Sequence, residues 1–95
     1  MGDDLSILRD RISALLDRGE NGSSSADEVE HTLTDGYARA LALEGERKRT
    51  EARMRDLSGS PEHVNDLRSL KDRLHAIEAD LSELRDLLSV LAATR

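Results

Sequence analysis

The stretch Leu67–Leu91, LRSLKDRLHAIEADLSELRDLLSVL, decides the fold of this chain. Apolar residues recur in it at alternating spacings of three and four, at Leu67, Leu70, Leu74, Ile77, Leu81, Leu84, Leu88 and Leu91. This spacing is a heptad repeat, which places one narrow apolar stripe along a helix and packs it against a partner helix. The sequence therefore predicts a long helix here, whose apolar stripe is called its seam below.

The composition of the chain favours helices over strands. It has 95 residues and no Phe, Trp or Cys, and Tyr37 is its only aromatic residue. Strands are enriched in aromatic and β-branched residues, whereas the apolar residues here are mostly Leu and Ala, and 36% of the chain is charged. We therefore predict an all-α protein. Because Cys is absent, the sequence also predicts neither a disulfide framework nor thiolate chemistry.

The sequence suggests a cytoplasmic bacterial protein. Its first residues, Met1–Asp4, are acidic, and no apolar segment of a signal peptide follows them. No apolar run approaches the roughly 20 residues that span a bilayer, so no membrane association is expected. Arg outnumbers Lys by twelve to two, which is typical of GC-rich bacterial genomes. The net charge of -6 argues weakly against general nucleic-acid binding.

Residues 1–18 contain a short amphipathic helix, expected from about Asp4 to Arg18 and ended by Gly19. Its apolar residues repeat at 3-4-3 spacing and are Leu5, Leu8, Ile12 and Leu15. About four helical turns are marginal in water alone, so this helix must dock on something. Residues 19–25, GENGSSS, have the composition of a flexible linker. The linker leaves open whether the helix docks on its own chain or on another.

Residues 26–95 have the pattern of an antiparallel helical hairpin. The second helix is expected over residues 26–57, with Ser25 and Glu28 as a capping box, and the third over residues 61–93, with Ser60 as N-cap and Pro61 in its first turn. The second helix carries its own seam, at Val29, Leu33, Gly36, Ala40, Leu43, Arg47, Thr50, Met54 and Leu57. Two helices of nearly equal length and a very short turn predict that the two seams pack together.

The register of the hairpin is predicted from the shortness of its turn. If Leu57 faces Ser60, Gly36 meets Leu81, and small residues of the second helix face large ones of the third. This register brings opposite charges together at five flanking pairs: Arg53 with Asp66, Glu46 with Arg73, Arg39 with Asp80, Glu44 with Lys71, and Glu30 with Arg85. Exposed pairs contribute a few tenths of a kcal/mol each, so they would select the register more than they stabilise it.

A rival arrangement pairs the third helix with a second copy of itself as a parallel zipper. That arrangement also brings opposite charges together, namely Asp66 with Lys71, Arg73 with Glu78, and Asp80 with Arg85. We favour the hairpin, because its turn is local and because the seam of the second helix would otherwise lack a partner.

Apolar residues outside the seams predict an interaction surface at the base of the hairpin, the end away from its turn. Tyr37 and Leu41 lie on one flank, and Leu87 and Val90 lie on the opposite flank. One flank can take the N-terminal helix and the other a second subunit; the alternative is a monomeric three-helix bundle. We predict a homo-oligomer, with a dimer favoured, whose oligomer or partner interface contains Tyr37, Leu41, Leu87, Val90, Leu5, Leu8, Ile12 and Leu15.

The sequence offers no arrangement of residues for catalysis. We find neither a Ser/His/Asp constellation nor a glycine-rich phosphate loop, and we predict no enzymatic activity, no catalytic residue and no cofactor. Two carboxylate–histidine pairs, Glu28-x-x-His31 and Asp72-x-x-His75, have the spacing found in metal-binding helical bundles, where the ligands point inward. None of these four residues lies on a seam, so no metal site is predicted.

Two features suggest a role in transcription as an alternative. Glu78-x3-Ser82-x2-Arg85 resembles the start of the motif of anti-sigma factors whose helical hairpins bind cyclic di-GMP, although the chain departs from that motif at Ser89 and Ala93. The turn, with acidic residues at Asp56, Glu62 and Asp66, is similar to the acidic hairpin tip of Gre-type transcript-cleavage factors. These resemblances imply a regulator that binds a sigma factor or RNA polymerase and that a cyclic dinucleotide can gate.

The basic run from Arg47 to Arg55 suggests a second alternative, nucleic-acid binding. A basic helix before a leucine repeat is the pattern of basic-zipper proteins, but Pro61 interrupts the continuous helix that they require.

The sequence favours a non-enzymatic coiled-coil protein that acts by protein–protein interaction and self-associates through the base of its hairpin. It does not identify the protein partner.

Overall fold

Three α-helices make up the computed structural model of the chain, which describes residues 4–20 and 26–94. Helix α1 spans Asp4–Glu20, α2 spans Ala26–Leu57 and α3 spans Val64–Ala92. The two long helices pack antiparallel, as predicted, and the molecule measures 58 × 19 × 18 Å. None of the described helices has an apolar stretch that is long enough to cross a lipid bilayer.

The ends of the helices differ slightly from their expected positions. Helix α1 continues for two residues past Arg18, a difference within the usual uncertainty of helix ends. Helix α3 begins at Val64, because the residues Pro61–His63 form a 3-10 turn in which the His63 N–H donates to the carbonyl of Ser60 over 3.1 Å. The proposed cap residue Ser25 lies outside the described residues.

The hydrophobic core occupies the base of the hairpin, where three helices meet. Its fully buried residues come from all three seams and are Leu5, Leu8, Ile12, Leu15, Val29, Leu33, Leu43, Ile77, Leu81, Leu84, Leu88 and Leu91. Near the turn, called the tip below, α2 and α3 are the only helices among the described residues. The seam residues of α3 there, Leu67, Leu70 and Leu74, are only half-buried. The docking of α1 therefore adds to the shielding of the seam at the base, although Thr50 and Ile77 nearer the tip are buried as well.

Helix α1 packs on its own hairpin and runs antiparallel to α2. Arg11 bonds Asp35, with 2.9 Å between Nη1 and Oδ2, and Arg18 bonds Glu28. These two pairs are one heptad apart on both helices, so they fix a single register between α1 and α2. Because the apolar seam of α1 is turned inward by these contacts, α1 completes the core of one chain.

The observed register of the hairpin is one heptad away from the predicted one. Gly36 lies against Leu88, whose Cγ would be 3.3 Å from a Cβ on Gly36, and not against Leu81. The prediction was wrong for a physical reason. Moving by seven residues leaves every seam residue facing the opposite seam, so the leucine pattern is compatible with both registers.

The turn accounts for the direction of the shift. The chain uses Ser58, Gly59 and Ser60 and then the 3-10 turn Pro61–His63 before α3 begins. Gly36 lies level with Leu88, and counting 21 residues from each toward the turn places Leu57 level with Leu67. Ser60 therefore belongs to the turn and does not face Leu57. Two further bonds tighten this turn, since Ser58 Oγ donates to the carbonyl of Arg55 over 2.9 Å and the Ser60 N–H donates to that of Leu57 over 3.2 Å.

The predicted flanking ion pairs are wrong for the same reason. Glu44 bonds the guanidinium of Arg85 instead of Lys71, and its other oxygen accepts from Arg47 over 3.2 Å. At about 1.5 Å per residue, the observed register moves Lys71 about 13 Å along the hairpin from Glu44. Among the described residues, the remaining predicted pairs also do not form: Glu30 with Arg85, Arg53 with Asp66, Glu46 with Arg73, and Arg39 with Asp80.

Candidate protein-interaction interface

One flank of the hairpin is occupied by α1. On α3 this flank carries Glu83, which bonds Arg9 with 2.9 Å between Oε2 and Nη2, and one turn later Leu87, which packs against the core. On α2 it carries Asp35 and the buried Thr32, whose hydroxyl accepts from Arg11 over 3.2 Å. The flank predicted from Leu87 and Val90 is thus the one that α1 covers in part.

The structure places the predicted interface residues in two different environments. Four of them are 0–5% exposed in the core of a single chain, namely Leu5, Leu8, Ile12 and Leu15. This burial assigns them to the core of a single chain while α1 is docked, and their role at an oligomer interface stays a prediction. Val90 is 52% exposed at the edge of the α1 flank, and Leu87 is largely covered.

The opposite flank, called the open face below, carries the remaining two predicted residues. Tyr37 is 49% exposed and Leu41 is 74% exposed, one helical turn apart on α2. Exposed single leucines are common on proteins, but here the only aromatic residue of the chain and its most exposed leucine share one face. The pair is therefore the best candidate in the described residues for an apolar contact with another molecule.

A groove of about 290 Å³ runs beside Tyr37 on the open face. Its walls come from both long helices and are formed by Tyr37, Ala40, Arg85, Leu88 and Ser89. Arg85 and Glu44 bond each other at its edge, so the two charges nearest the groove neutralise each other. The groove can accept an apolar side chain without leaving a buried charge unpaired.

The sequence predicted that Tyr37 and Leu41 lie outside the seams, and their exposure agrees, but it did not predict the rest of this groove. Ala40 and Leu88 were assigned to the seams, and the pairing of Arg85 with Glu44 depends on a register that the leucine pattern cannot specify. The groove residues outside the seams occupy positions next to a seam residue, and this position is the sequence signal for them. The signal identifies which residues of α2 and α3 meet only when the register of the hairpin is known.

The basic run from Arg47 to Arg55 is divided among different faces of α2. Arg47 lies on the seam, half-buried and bonded to Glu44, and its Nε is buried without an acceptor in the described residues. Arg49 and Arg53 line a second groove near the tip, together with Glu46, Thr50, Leu70 and Arg73. The run therefore does not form one continuous basic face for a nucleic acid.

The residues that carry the resemblance to the anti-sigma motif are exposed. Glu78, Ser82 and Arg85 recur at 4-3 spacing on α3, on the side of the open face, and Arg85 is engaged by Glu44. At the tip, Asp66 contacts His63, with 3.4 Å between Oδ2 and Nδ1. The remaining two acidic residues named for the tip, Asp56 and Glu62, are exposed.

The two carboxylate–histidine pairs do not converge. Glu28 bonds Arg18, and His31 is exposed beside it. Asp72 and His75 are exposed on α3. Within residues 4–20 and 26–94, no three His, Asp or Glu side chains come close enough together to hold a metal ion.

Helix order and packing define the class as an all-α protein in which a short helix docks on the base of a long antiparallel hairpin. No protein-family model matches the chain, and no curated protein or solved structure is significantly similar to it. Its function is therefore inferred from the surfaces described above.

Proposed function

We propose that this protein is a non-enzymatic coiled-coil protein that acts through protein–protein interaction and forms a homodimer through its open face. The observation that carries the proposal is the exposure of Leu41, 74%, beside Tyr37 on the flank that α1 leaves uncovered. Fully burying a leucine side chain contributes about 1.5–3 kcal/mol, and an aromatic side chain brings a still larger area. Two copies of each residue would form the centre of a dimer.

The shape of the open face supports a second copy as its occupant. A symmetric dimer needs a surface that is complementary to itself, so that a residue and its receptor site are both present on one face. Leu41 projects from α2 one turn from the groove beside Tyr37. A copy related by a two-fold axis between these two features can insert its Leu41 into that groove and accept the first chain's Leu41 in return.

The charges of the open face also favour a copy over a strongly charged partner. Arg85 and Glu44 neutralise each other at the edge of the groove, with side chains that are 58% and 26% exposed. A partner of high net charge would gain little from such a surface, whereas an identical surface would meet no excess of like charge. The two-fold arrangement therefore costs little electrostatic energy.

The test replaces Leu41 with Ser in the full chain. Wild-type protein should have a dimer mass by light scattering at micromolar concentration, and its melting temperature should rise with concentration. The variant should be a monomer with the same helix content by circular dichroism, since the side chain lost is outside the core. Val64, which is 53% exposed near the tip, provides the matched control: Val64→Ser should remain a dimer.

Two results would overturn the dimer. One is a monomer mass for the wild-type chain at micromolar concentration. The other is dissociation by Val90→Ser that equals the effect of Leu41→Ser, because Val90 belongs to the flank that carries α1. In that case the association would pass through α1 and its surroundings.

The alternative function, a transcription regulator gated by a cyclic dinucleotide, stays a prediction with its own test. A chain gated by a cyclic dinucleotide should melt at a higher temperature with cyclic di-GMP present, and Arg85→Ala should remove this shift. The contact between Arg85 and Glu44 gives no specific support to it, since Arg85 is already neutralised within the chain.

A further inference from the structure

The groove that holds α1 continues beyond the start of this helix. On α2, the residues that face α1 recur at 4-3 spacing, as Glu28, Thr32, Asp35 and Arg39, and the same spacing continues through Ala42, Glu46, Arg49 and Arg53. The register set by Arg11 and Asp35 places Asp4, the first residue of α1, level with Ala42. From Ala42 to the end of α2 at Leu57 the groove runs on for about 22 Å.

The charges that the hairpin contributes to this groove differ between the base and the tip, although Arg39 lies in the base and Glu46 near the tip. In the base, the hairpin supplies carboxylates, Glu28, Asp35 and Glu83, and the three cations that meet them belong to α1. Beyond α1, the hairpin supplies the cations instead. The second groove, of about 250 Å³ and called the tip groove below, is lined by Arg49, Arg53 and Arg73, with Glu46 as its only carboxylate.

The cations of the tip groove are available for a partner. Among the described residues, Arg49, Arg53 and Arg73 form no ion pair, and all three are exposed. Three guanidinium groups and one carboxylate leave an excess of two positive charges in one groove. This excess is notable in a chain whose net charge is -6.

Leucine contributes to the floor of the tip groove, and among the described residues no third helix covers it as α1 covers the base. Leu70 lies at the floor beside Thr50, and its seam neighbours Leu67 and Leu74 are half-buried, whereas Leu81 and Leu84 beneath α1 are buried. A groove between two helices that is apolar at its floor and charged at its rim is the shape that an amphipathic helix fills. Helix α1 fills the adjoining part of the same groove in this way.

We propose that the tip groove binds an acidic amphipathic helix of a partner protein, in line with α1. The partner would place apolar residues on Leu70 and its neighbours and carboxylates on Arg49, Arg53 and Arg73. Arg49 and Arg53 are four residues apart on α2, so two carboxylates with the same spacing on the partner can meet both. This inference rests on the proposed function only in that the protein acts by binding proteins; its residues are separate from those of the dimer.

A nucleic acid is the other macromolecule that arginines attract, and the groove fits it less well. Phosphate contacts need cations but no apolar floor, and Leu70 would gain nothing from a sugar–phosphate backbone. Glu46 within the groove would also repel phosphates, whereas a protein helix can place a neutral or basic residue opposite it. The acidic helix uses both the floor and the rim.

The test uses a synthetic peptide of about 15 residues, the length of helix that extends from Ala42 to Leu57 and covers the tip groove between them. Its seam is leucine and its flanks are glutamate, and a control peptide has lysine in place of every glutamate. Fluorescence anisotropy with the full chain should give micromolar binding of the acidic peptide, weakened by salt, and at least about tenfold weaker binding of the basic one.

Charge reversal of the groove should exchange the two preferences. The triple variant Arg49→Glu, Arg53→Glu and Arg73→Glu should lose about tenfold in affinity for the acidic peptide and should gain affinity for the basic one. A matched control reverses three exposed cations of the tip outside the groove, Lys48→Glu, Arg55→Glu and Arg68→Glu, and should keep the acidic peptide within about twofold of wild type. Circular dichroism verifies that both variants are folded.

Three outcomes would overturn the proposal: equal binding of the two peptides, equal losses in the two triple variants, or tighter binding of a random duplex DNA that the groove variant abolishes. The last would identify a nucleic-acid site. The dimer is tested independently, since the monomeric variant Leu41→Ser should bind the acidic peptide as wild type does. Loss of peptide binding with an intact dimer would reject this proposal alone.

Discussion

The two glycines within α2 lie in different surroundings, although a glycine costs a helix about 1 kcal/mol relative to alanine at either position. A Cβ on Gly36 would collide with the side chain of Leu88, which is 2% exposed in the core. A Cβ on Gly45 would meet the guanidinium of Arg49, whose Nη1 would be 3.1 Å away at the end of a flexible side chain. Gly36 is therefore needed for close helix packing, and Gly45 is not.

Alanine substitution should separate these two roles. Gly45→Ala should raise the free energy of unfolding by about 0.5–1 kcal/mol, because Arg49 can move aside and the helix gains propensity. Gly36→Ala should lower it by about 1 kcal/mol, since overpacking a core costs more than the propensity returns. Denaturant unfolding followed by circular dichroism measures both. Stabilisation by Gly36→Ala equal to that by Gly45→Ala would mean that Leu88 does not lie against Gly36.

At the scale of the helices, α1 is the element that completes the hydrophobic core at the base of the hairpin. Alone, two antiparallel helices shield one narrow stripe, as the half-buried Leu67, Leu70 and Leu74 of the tip illustrate. Where α1 is present, the leucines of both long-helix seams are buried and Ile12 of α1 is itself 0% exposed. Most of the stability of the chain should therefore depend on contacts between α1 and the base.

Two isoleucines of α1 test this dependence with the same substitution. Ile12→Ala should lower the free energy of unfolding by about 3 kcal/mol, the usual cost of emptying a core site. Ile7→Ala, at a position that is 56% exposed, should change it by less than about 0.5 kcal/mol. Thermal and denaturant unfolding give both values. Similar small losses in the two variants would argue that α1 does not dock on its own hairpin in solution.

The helices and their antiparallel packing could be predicted because a 3-4 spacing, a break at Ser58–Ser60 and Leu-rich composition all indicate the same structure. The docking of α1 could not, since the Gly- and Ser-rich composition of residues 19–25 is compatible with docking on its own chain or on another. Of the open face, Tyr37 and Leu41 were found because they are apolar outside the seam. The tip groove was missed, because Leu70 and Thr50 were taken as wholly internal to the hairpin, and Arg73 was assigned to a wrong pair.

At the scale of the whole molecule, the register of the hairpin determines which surfaces exist. A shift of one heptad leaves the seam intact but changes every neighbour outside it. Glu44, which was predicted to meet Lys71, bonds Arg85 in the observed register. The groove beside Tyr37 contains residues that the predicted register would hold about 10 Å apart along the hairpin. Both proposed interfaces thus depend on the observed register.

Chemical cross-linking can measure this register directly, because the chain has no cysteine of its own. Glu44→Cys with Arg85→Cys replaces two side chains that bond each other and places the thiols about 7 Å apart along the helices. Glu44→Cys with Lys71→Cys places them about 13 Å apart along the helices. A short bis-maleimide should link the first pair within one chain, detected by mass spectrometry, and leave the second largely unlinked. Efficient linkage of the second pair would instead support the register in which Gly36 meets Leu81, and the open face and tip groove would then have to be redrawn.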